Sequence, residues 1–393
     1  MAIEVQEGAP EPGSPVSDGT SDLASDVAPD IAPDIALVVD LDGTLTRTDT
    51  LHEGVVELLK NRPFDVLRLP GWLGAGKARF KHEIATHAPV DVGLLPYDDD
   101  VLEHVRAARA AGRRTVLATA SNVAVAQAIG AHLGLFDEVI ASTADHNISG
   151  AATRDLLVER FGAGGFDYMA NAPVDKIVWS AARTAVLVNA LSALTSDVKS
   201  AKEHVEILSE KASFLTSLAE AARLYQWVKN ILIFIPILAA QQFSGLSLVQ
   251  AVLAFLCFGL AASSVYLVND LMDLEADRRH PRKKQRPFAS GRLAVLPGLF
   301  TAGVLGLVSL AGAFFVGSEF GLVLIGYLLI TGAYSLWIKR QPLVDIIVLA
   351  SLYTLRIIAG GGSDRYAVDP MASRLFDVSV CQPGLRQALC RSQ

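Results

Sequence analysis

The second half of the chain is a succession of long apolar runs separated by short polar stretches. Residues 246–268, 293–316, 320–337 and 343–359 each approach the ~20 apolar residues that a helix needs to cross a bilayer. A fifth run, 227–243, is shorter and carries Lys229 and Asn230 near its start. Arg223, Trp227 and Lys229 form an expected interfacial anchor for it, so five spans are predicted. The first half has a different pattern. Apolar runs of strand length at 35–39, 114–118, 166–169 and 184–189 alternate with helical stretches such as 99–110, and the run at 184–189 reads as a closing strand. Between the halves, 189–222 reads as helical, with Val205, Leu208, Phe214 and Leu218 set among polar residues.

Composition adds two points. Hydrophobic residues make up 51% of the 393, and the excess sits in the later apolar runs. The formal net charge of −7 comes from one segment: residues 1–34 hold eight acids and no Lys or Arg, which leaves about +1 for the rest. That segment is rich in Pro, Gly, Ser and Asp and repeats Asp-x-Ala-Pro at Asp26 and Asp30, so it is expected to be a disordered acidic tail. No acidic function follows from the net charge. Cys257, Cys381 and Cys390 show neither metal spacing nor a disulfide framework. The opening residues lack a basic start and an apolar core, so internal helices are expected to direct membrane insertion.

The polar stretch between two of the apolar runs carries the most specific chemistry. It reads NDLMDLEADRRHPRKKQRPFASG over 269–291. Asp270, Asp273 and Asp277 recur at spacings of three and four, which places them on one helix face. Arg278, Arg279, Arg282, Lys283, Lys284 and Arg286 follow directly. Carboxylate oxygens suit a hard cation such as Mg2+, which commonly also binds substrate phosphates, and guanidinium groups can clamp the remaining oxygens. A basic loop on the cytoplasmic side of a membrane would explain the Lys and Arg but not three carboxylates on one face.

This NDxxDxxxD, followed by a basic segment and RPxxxG, resembles the first aspartate-rich motif of the UbiA superfamily of membrane prenyltransferases. WVKNILIF at 227–234 and LYTLRIIAGG at 352–361 agree with it, and are most similar to decaprenyl-phosphate phosphoribosyltransferases and their neighbours. The resemblance covers about residues 223–362. It implies that Asp270, Asp273 and Asp277 hold Mg2+ on a diphosphate with help from Asn269, and that Arg282, Lys283, Lys284 and Arg286 contact its oxygens. Either a prenyl diphosphate ionises and an aromatic acceptor attacks, or phosphoribosyl diphosphate ionises and a polyprenyl phosphate attacks. Implied partners are an isoprenoid (polyprenyl) substrate, a diphosphate-bearing or aromatic co-substrate and membrane lipid, with no nucleic acid.

Earlier in the chain, the strand at 35–39 delivers Asp40-Leu41-Asp42-Gly43-Thr44 at its carboxyl end. A buried strand ending in DxDGT resembles the haloacid dehalogenase (HAD) superfamily, a doubly wound α/β fold. The resemblance implies that Asp40 is a nucleophile on phosphorus and Asp42 a general acid, both near Mg2+, and that Thr119 is the phosphate-binding hydroxyl. Asp175, with Asn171, would help hold the metal. The family lysine that neutralises the phosphoryl group is missing: Thr153 stands in its place. Arg154 is adjacent, but one helical residue turns a side chain by about 100°.

The expected organisation is an acidic tail at 1–34, a HAD-like domain at 35–190, a helical linker at 191–222, a partial UbiA helical bundle at 223–362 and an unrelated tail at 363–393. The basic loop 278–292 and the pair Lys339-Arg340 should face the cytoplasm, giving a multi-pass cell-membrane protein whose N-terminal domain is cytoplasmic. In the last span, Arg356 lies about 16 Å beyond Asp345 at ~1.5 Å per residue. It is read either as lining a polar cavity and reaching a substrate phosphate, or as an ion-pair partner that fixes helix packing. After residue 362 the family character ends without the further helices and second acidic motif of UbiA relatives, so a truncated or frameshifted gene is expected. The functional expectation is a UbiA-type transferase, with a membrane-tethered HAD-type phosphatase or an inactive truncated product as alternatives.

Overall fold

The computed structural model describes residues 35–241, 244–334 and 342–361, the side chains of 240 and 342–350 excepted. The expected tails at 1–34 and 363–393, the pair Lys339-Arg340 and the Asp345 side chain lie outside the described residues.

Apolar strands build a parallel sheet in the first half. β1 (Ala36–Val39), β2 (Thr115–Asn122), β3 (Glu138–Ser142), β4 (Phe166–Ala170), β5 (Ala185–Leu187) and β6 (Val205–Ile207) lie in the order β3-β2-β1-β4-β5-β6. Every pairing is parallel; Leu37 faces Thr115 on one side of β1, and Val38 faces Tyr168 on the other. A parallel sheet is covered on both faces, which explains why all four β1 residues are buried. Ala36, Val38, Phe166 and Trp179 belong to one core, and Leu37, Val39, Val105 and Ile129 to the other.

Helices connect the strands: α1 (Thr50–Asn61), α2 (Leu69–Gly74), α3 (Lys77–His87), α4 (Asp99–Ala110), α5 (Val123–Leu133), α6 (Ala151–Phe161), α7 (Lys176–Trp179), α8 (Ser192–Ala201) and α9 (Phe214–Ala221). The Asp49 carboxylate caps α1, accepting from the Leu51 and His52 amides at 2.9 and 3.1 Å. α2 and α3 sit between β1 and β2 as a small cap whose Ile84 packs on Leu58 of α1.

Two features depart from the expectation. The run at 184–189 does not close the sheet, because β6 pairs outside it, with Ala185 opposite Val205. The stretch read as a helical linker over 191–222 is therefore α8, β6 and α9, and the α/β unit runs at least to Ile207. A three-residue strand among helix-favouring neighbours has too short a period to stand out.

The second half is helical. A 3-10 segment (Leu224–Phe234) leads into α10 (Ile235–Ala240), followed by α11 (Gly245–Met272), α12 (Leu274–Arg279), α13 (Val295–Val316), α14 (Ser318–Ala333) and α15 (Pro342–Gly361). Among the described residues α11 and α13 are the helices long and apolar enough to cross a membrane. α14 has only sixteen residues, and Pro236, which cannot donate to a helical ladder, helps divide the first run. Among the described residues, two of the five predicted spans are met at full length and apolarity. Small residues bring α11 and α13 together: Gly312 leaves room for the Cys257 sulfur, and the Ser309 and Ser264 hydroxyls donate across to Cys257 and Ala302 carbonyls at 2.9 and 2.7 Å. Phe300, Leu307 and Phe315 point outward from α13, an apolar face suited to lipid.

The two halves share a core. Val56 of α1 packs with Ala221, Leu267, Leu271, Leu274 and Phe288.

Candidate functional site

Two carboxylate centres lie at this junction. The first forms where β1 ends. Asp40 leaves the strand with its amide donating to the Met169 carbonyl at 2.9 Å. Gly43 then turns at φ +79° beneath the Asn171 side chain, which leaves no room for a Cβ, so glycine is required on both counts. Asp42 is held from two sides: the Thr50 amide donates to Oδ1 at 2.8 Å and the Ser121 hydroxyl donates to Oδ2, while the Thr50 and Ser121 hydroxyls lie 3.0 Å apart. Thr119 is buried at the end of β2, and its hydroxyl accepts from the Ser121 amide at 3.0 Å. Asp175, also buried, accepts from the Ala172 amide at 2.9 Å.

Electrostatics mark these acids as a group. Burial pushes the Asp40 carboxyl well above the usual range, and the charges of Asp175 and Asp42 push it further. Burial, and then the nearby Asp49, raise Asp42 to about 6 against its hydrogen bonds from Ser121 and Thr50. Burial raises Asp175 to about 6. Carboxylates that repel one another in a desolvated pocket form a donor set suited to a hard divalent cation. Among the described residues, however, no group of three His, Cys, Asp or Glu side chains stands in ligating geometry.

Sequence reasoning found no cationic side chain for this centre. Thr153 is buried on α6, while Arg154 is turned away onto Asp155 at 2.6 Å. It missed Lys81 of α3. The Lys81 ammonium donates to the Ala120 carbonyl at 2.6 Å and to Asn147 Oδ1 at 3.1 Å. No local pattern could have found it, since 39 positions separate Lys81 from Ala120.

The second centre forms where α11 ends. Asp270 lies in the last turn of α11, Asp273 at the break before α12 and Asp277 within α12. Asp270 and Asp277 are buried and share one guanidinium: Arg286 NH1 is 3.1 Å from Asp270 Oδ1 and 2.7 Å from Asp277 Oδ2. Arg223 NH2 lies 2.6 Å from the same Asp270 oxygen. The Lys283 ammonium is 3.9 Å from Asp277, whereas Arg282 and Lys284 are exposed. Asn269 is half-buried beside Asp270. The donor set again fits Mg2+, with two carboxylates preorganised by one cation.

Three basic residues have partners other than those expected. Arg223 is not an interfacial anchor, because Asp270 and the Tyr266 ring, 4.9 Å from its guanidinium carbon, draw it inward. Trp227 also turns inward, donating to Ser263 Oγ at 3.0 Å, while Lys229 stays exposed. Arg278 leaves the aspartate face altogether and pairs with Glu53. Deeper in the bundle, Arg356 is buried, donates to Asn230 Oδ1 at 3.0 Å and stands over the rings of Phe258, Tyr327 and Tyr353. The Asn230 amide nitrogen beside it is buried and has no partner among the described residues.

Comparison with known proteins follows this division. Residues 230–370 match the UbiA prenyltransferase family, and residues 37–163 match haloacid dehalogenase-like hydrolases. The chain is 36% identical over 347 residues to the uncharacterized protein y4nM of Sinorhizobium fredii, across 88% of this chain and 66% of that one. Its C-terminal part is 42% identical over 155 residues to the decaprenyl-phosphate phosphoribosyltransferase of Mycobacterium tuberculosis, across 38% of this chain and 51% of that enzyme. The chain thus spans about half the length of that enzyme. A UbiA homolog from Archaeoglobus fulgidus, solved with DMAPP and Mg2+, overlaps 42% of this chain and 60% of its own at 20% identity, with a TM-score of 0.36.

Proposed function

The chain belongs to the UbiA prenyltransferase family through its helical part and carries a haloacid dehalogenase-like domain before it; on that premise we propose that the helical part transfers a group to or from an isoprenoid substrate as diphosphate departs. The observation that carries the reading is the Arg286 guanidinium shared by Asp270 and Asp277, with Arg223 on the same Asp270 oxygen. The shared guanidinium offsets part of the cost of burying two carboxylates at the end of a membrane helix.

Asp270, Asp277 and Asp273 would hold Mg2+, with Asn269 beside them. The bound ion would neutralise charge on the departing diphosphate. Arg286 bridges the two carboxylates through one nitrogen. Lys283, at 3.9 Å from Asp277, and the exposed Arg282 and Lys284 would meet diphosphate oxygens from solvent. Arg356, boxed by aromatic rings, would line the isoprenoid end of the cavity rather than the diphosphate end.

The likeness to a decaprenyl-phosphate phosphoribosyltransferase supports phosphoribosyl transfer from its diphosphate to a polyprenyl phosphate over prenyl transfer to an aromatic acceptor. Shared packing of α1 with α11 and α12 supports an N-terminal domain on the same side of the membrane as the aspartate motif, which we place in the cytoplasm with its basic loop. The test is transfer of labelled phosphoribosyl to decaprenyl phosphate, or of a prenyl group to an aromatic acid, by the full chain in membranes with Mg2+. Transfer that needs Asp270 supports the reading. Absence of both activities, or transfer unchanged by Asp270→Ala, overturns it.

A further inference from the structure

We propose that Lys81, on the cap helix α3, supplies the positive charge that Thr153 cannot, so that the N-terminal centre binds the phosphoryl group of a phosphate monoester. The ammonium reaches the rim of that centre from the cap side. Its partner Ala120 stands between Thr119, the candidate phosphate-binding hydroxyl, and Ser121, whose hydroxyl binds Asp42. Lys81 has three N–H donors. Among the described residues, Ala120 and Asn147 account for two of them, leaving one for a ligand oxygen.

A half-buried ammonium held by two hydrogen bonds beside the carboxylate centre is placed to meet an anionic ligand. Burial lowers the Lys81 ammonium from its ordinary range, and the nearby charges of Asp42, Asp49 and Asp40 oppose that shift. Thr153, where the family resemblance expects a lysine, is buried and uncharged, and Arg154 is paired with Asp155. Asn147 also borders an open cleft of about 940 Å3 lined by Trp72, Lys77, Arg79, Glu83 and Asp145.

This proposal stands apart from the transferase reading, since it involves neither Asp270 nor Asp277. The experiment measures binding of inorganic phosphate to the full chain in detergent with Mg2+, by isothermal titration. A charge-assisted hydrogen bond of this kind is worth about ten- to a hundredfold in affinity. Lys81→Gln, which keeps polar contact with Ala120 and Asn147 but removes the charge, should weaken phosphate by that factor. Lys81→Arg should restore most of it, and Lys199→Met, an exposed change on α8, should leave it unchanged. Should Lys81→Gln fail to fold, Lys81→Arg decides: retained phosphate affinity supports the proposal and its loss overturns it. The proposal also fails if Lys81→Gln binds phosphate as the parent does, or if the parent binds none at millimolar concentrations.

Discussion

Glu53 and Arg278, 225 positions apart, meet in a two-pronged ion pair: NH1 to Oε2 at 2.8 Å and NH2 to Oε1 at 2.5 Å. Both side chains are almost fully buried, at 4% and 6% exposure. Glu53 lies in the first turn of α1, whose leading amide holds Asp42, and Arg278 follows Asp277. The pair therefore ties the helix behind one carboxylate centre to the helix carrying the other. Removing one partner of a buried pair typically costs about 3–5 kcal/mol, whereas replacing both by apolar residues is often close to neutral. Glu53→Ala should thus lower the unfolding free energy by about 3 kcal/mol, and Glu53→Met with Arg278→Met by much less. Urea unfolding in detergent micelles checks this; equal losses in the single and double variants would refute it.

The raised carboxyls give stability a distinctive dependence on pH and metal. Asp42 and Asp175 are raised to about 6 from an ordinary 3.8, so between about pH 4 and 6 the folded state holds more protons than the unfolded one. Stability from these groups is therefore full below pH 4 and falls as pH rises through 6. Asp98 and Asp167 act oppositely and in a lower window. Burial pushes both up, but Arg47 and Asn189 on Asp98, and Arg183 and Thr184 on Asp167, hold them below their ordinary value, so their contribution is lost only in stronger acid. Mg2+ should consequently raise the Tm more at pH 7 than at pH 5. Calorimetry at the two values checks it, and an equal gain at both would count against a cation at Asp40, Asp42 and Asp175.

Much of this was legible in local sequence. DxDGT announced the end of β1, and the three- and four-residue spacing of Asp270, Asp273 and Asp277 placed them together because a helix fixes those neighbours. The break at Asp273 was not foreseen. What stayed hidden are relationships between distant positions. Arg223 looked like a membrane anchor because its sequence neighbours are Trp and Lys, yet Asp270, 47 positions on, captures it. Arg278 looked like one more basic residue of the motif until Glu53 claimed it. β6 is three residues long and gains its identity only from pairing with β5.

At the second centre, distance from the carboxylates should rank the basic residues. Asp270→Ala or Asp277→Ala removes a cation ligand and should cut transfer by about 10²-fold or more. Arg286→Ala should do nearly as much, because it also leaves two buried carboxylates without their shared partner. Lys284→Ala, at an exposed position, should cost less than about tenfold and mostly in KM. Steady-state kinetics on membrane preparations gives the order, and a Lys284 effect as large as that of Asp270 would contradict it.

Gly291 closes the junction by geometry alone. It sits at φ +75°, and a Cβ there would come within 2.9 Å of the Arg47 carbonyl oxygen. Arg47 cannot easily yield: its amide donates to Pro96 and its guanidinium to Asp98 at 2.9 Å. Gly291→Ala therefore combines a left-handed backbone with a clash against a fixed loop, for an expected loss of about 1–3 kcal/mol. Because Arg278 also donates to Ala289 at 3.0 Å, two positions before Gly291, the change should not add simply to Glu53→Ala. A double-variant cycle in urea should return a coupling of about 0.5 kcal/mol or more. Strict additivity would mean that the loop and the ion pair hold the two halves together independently.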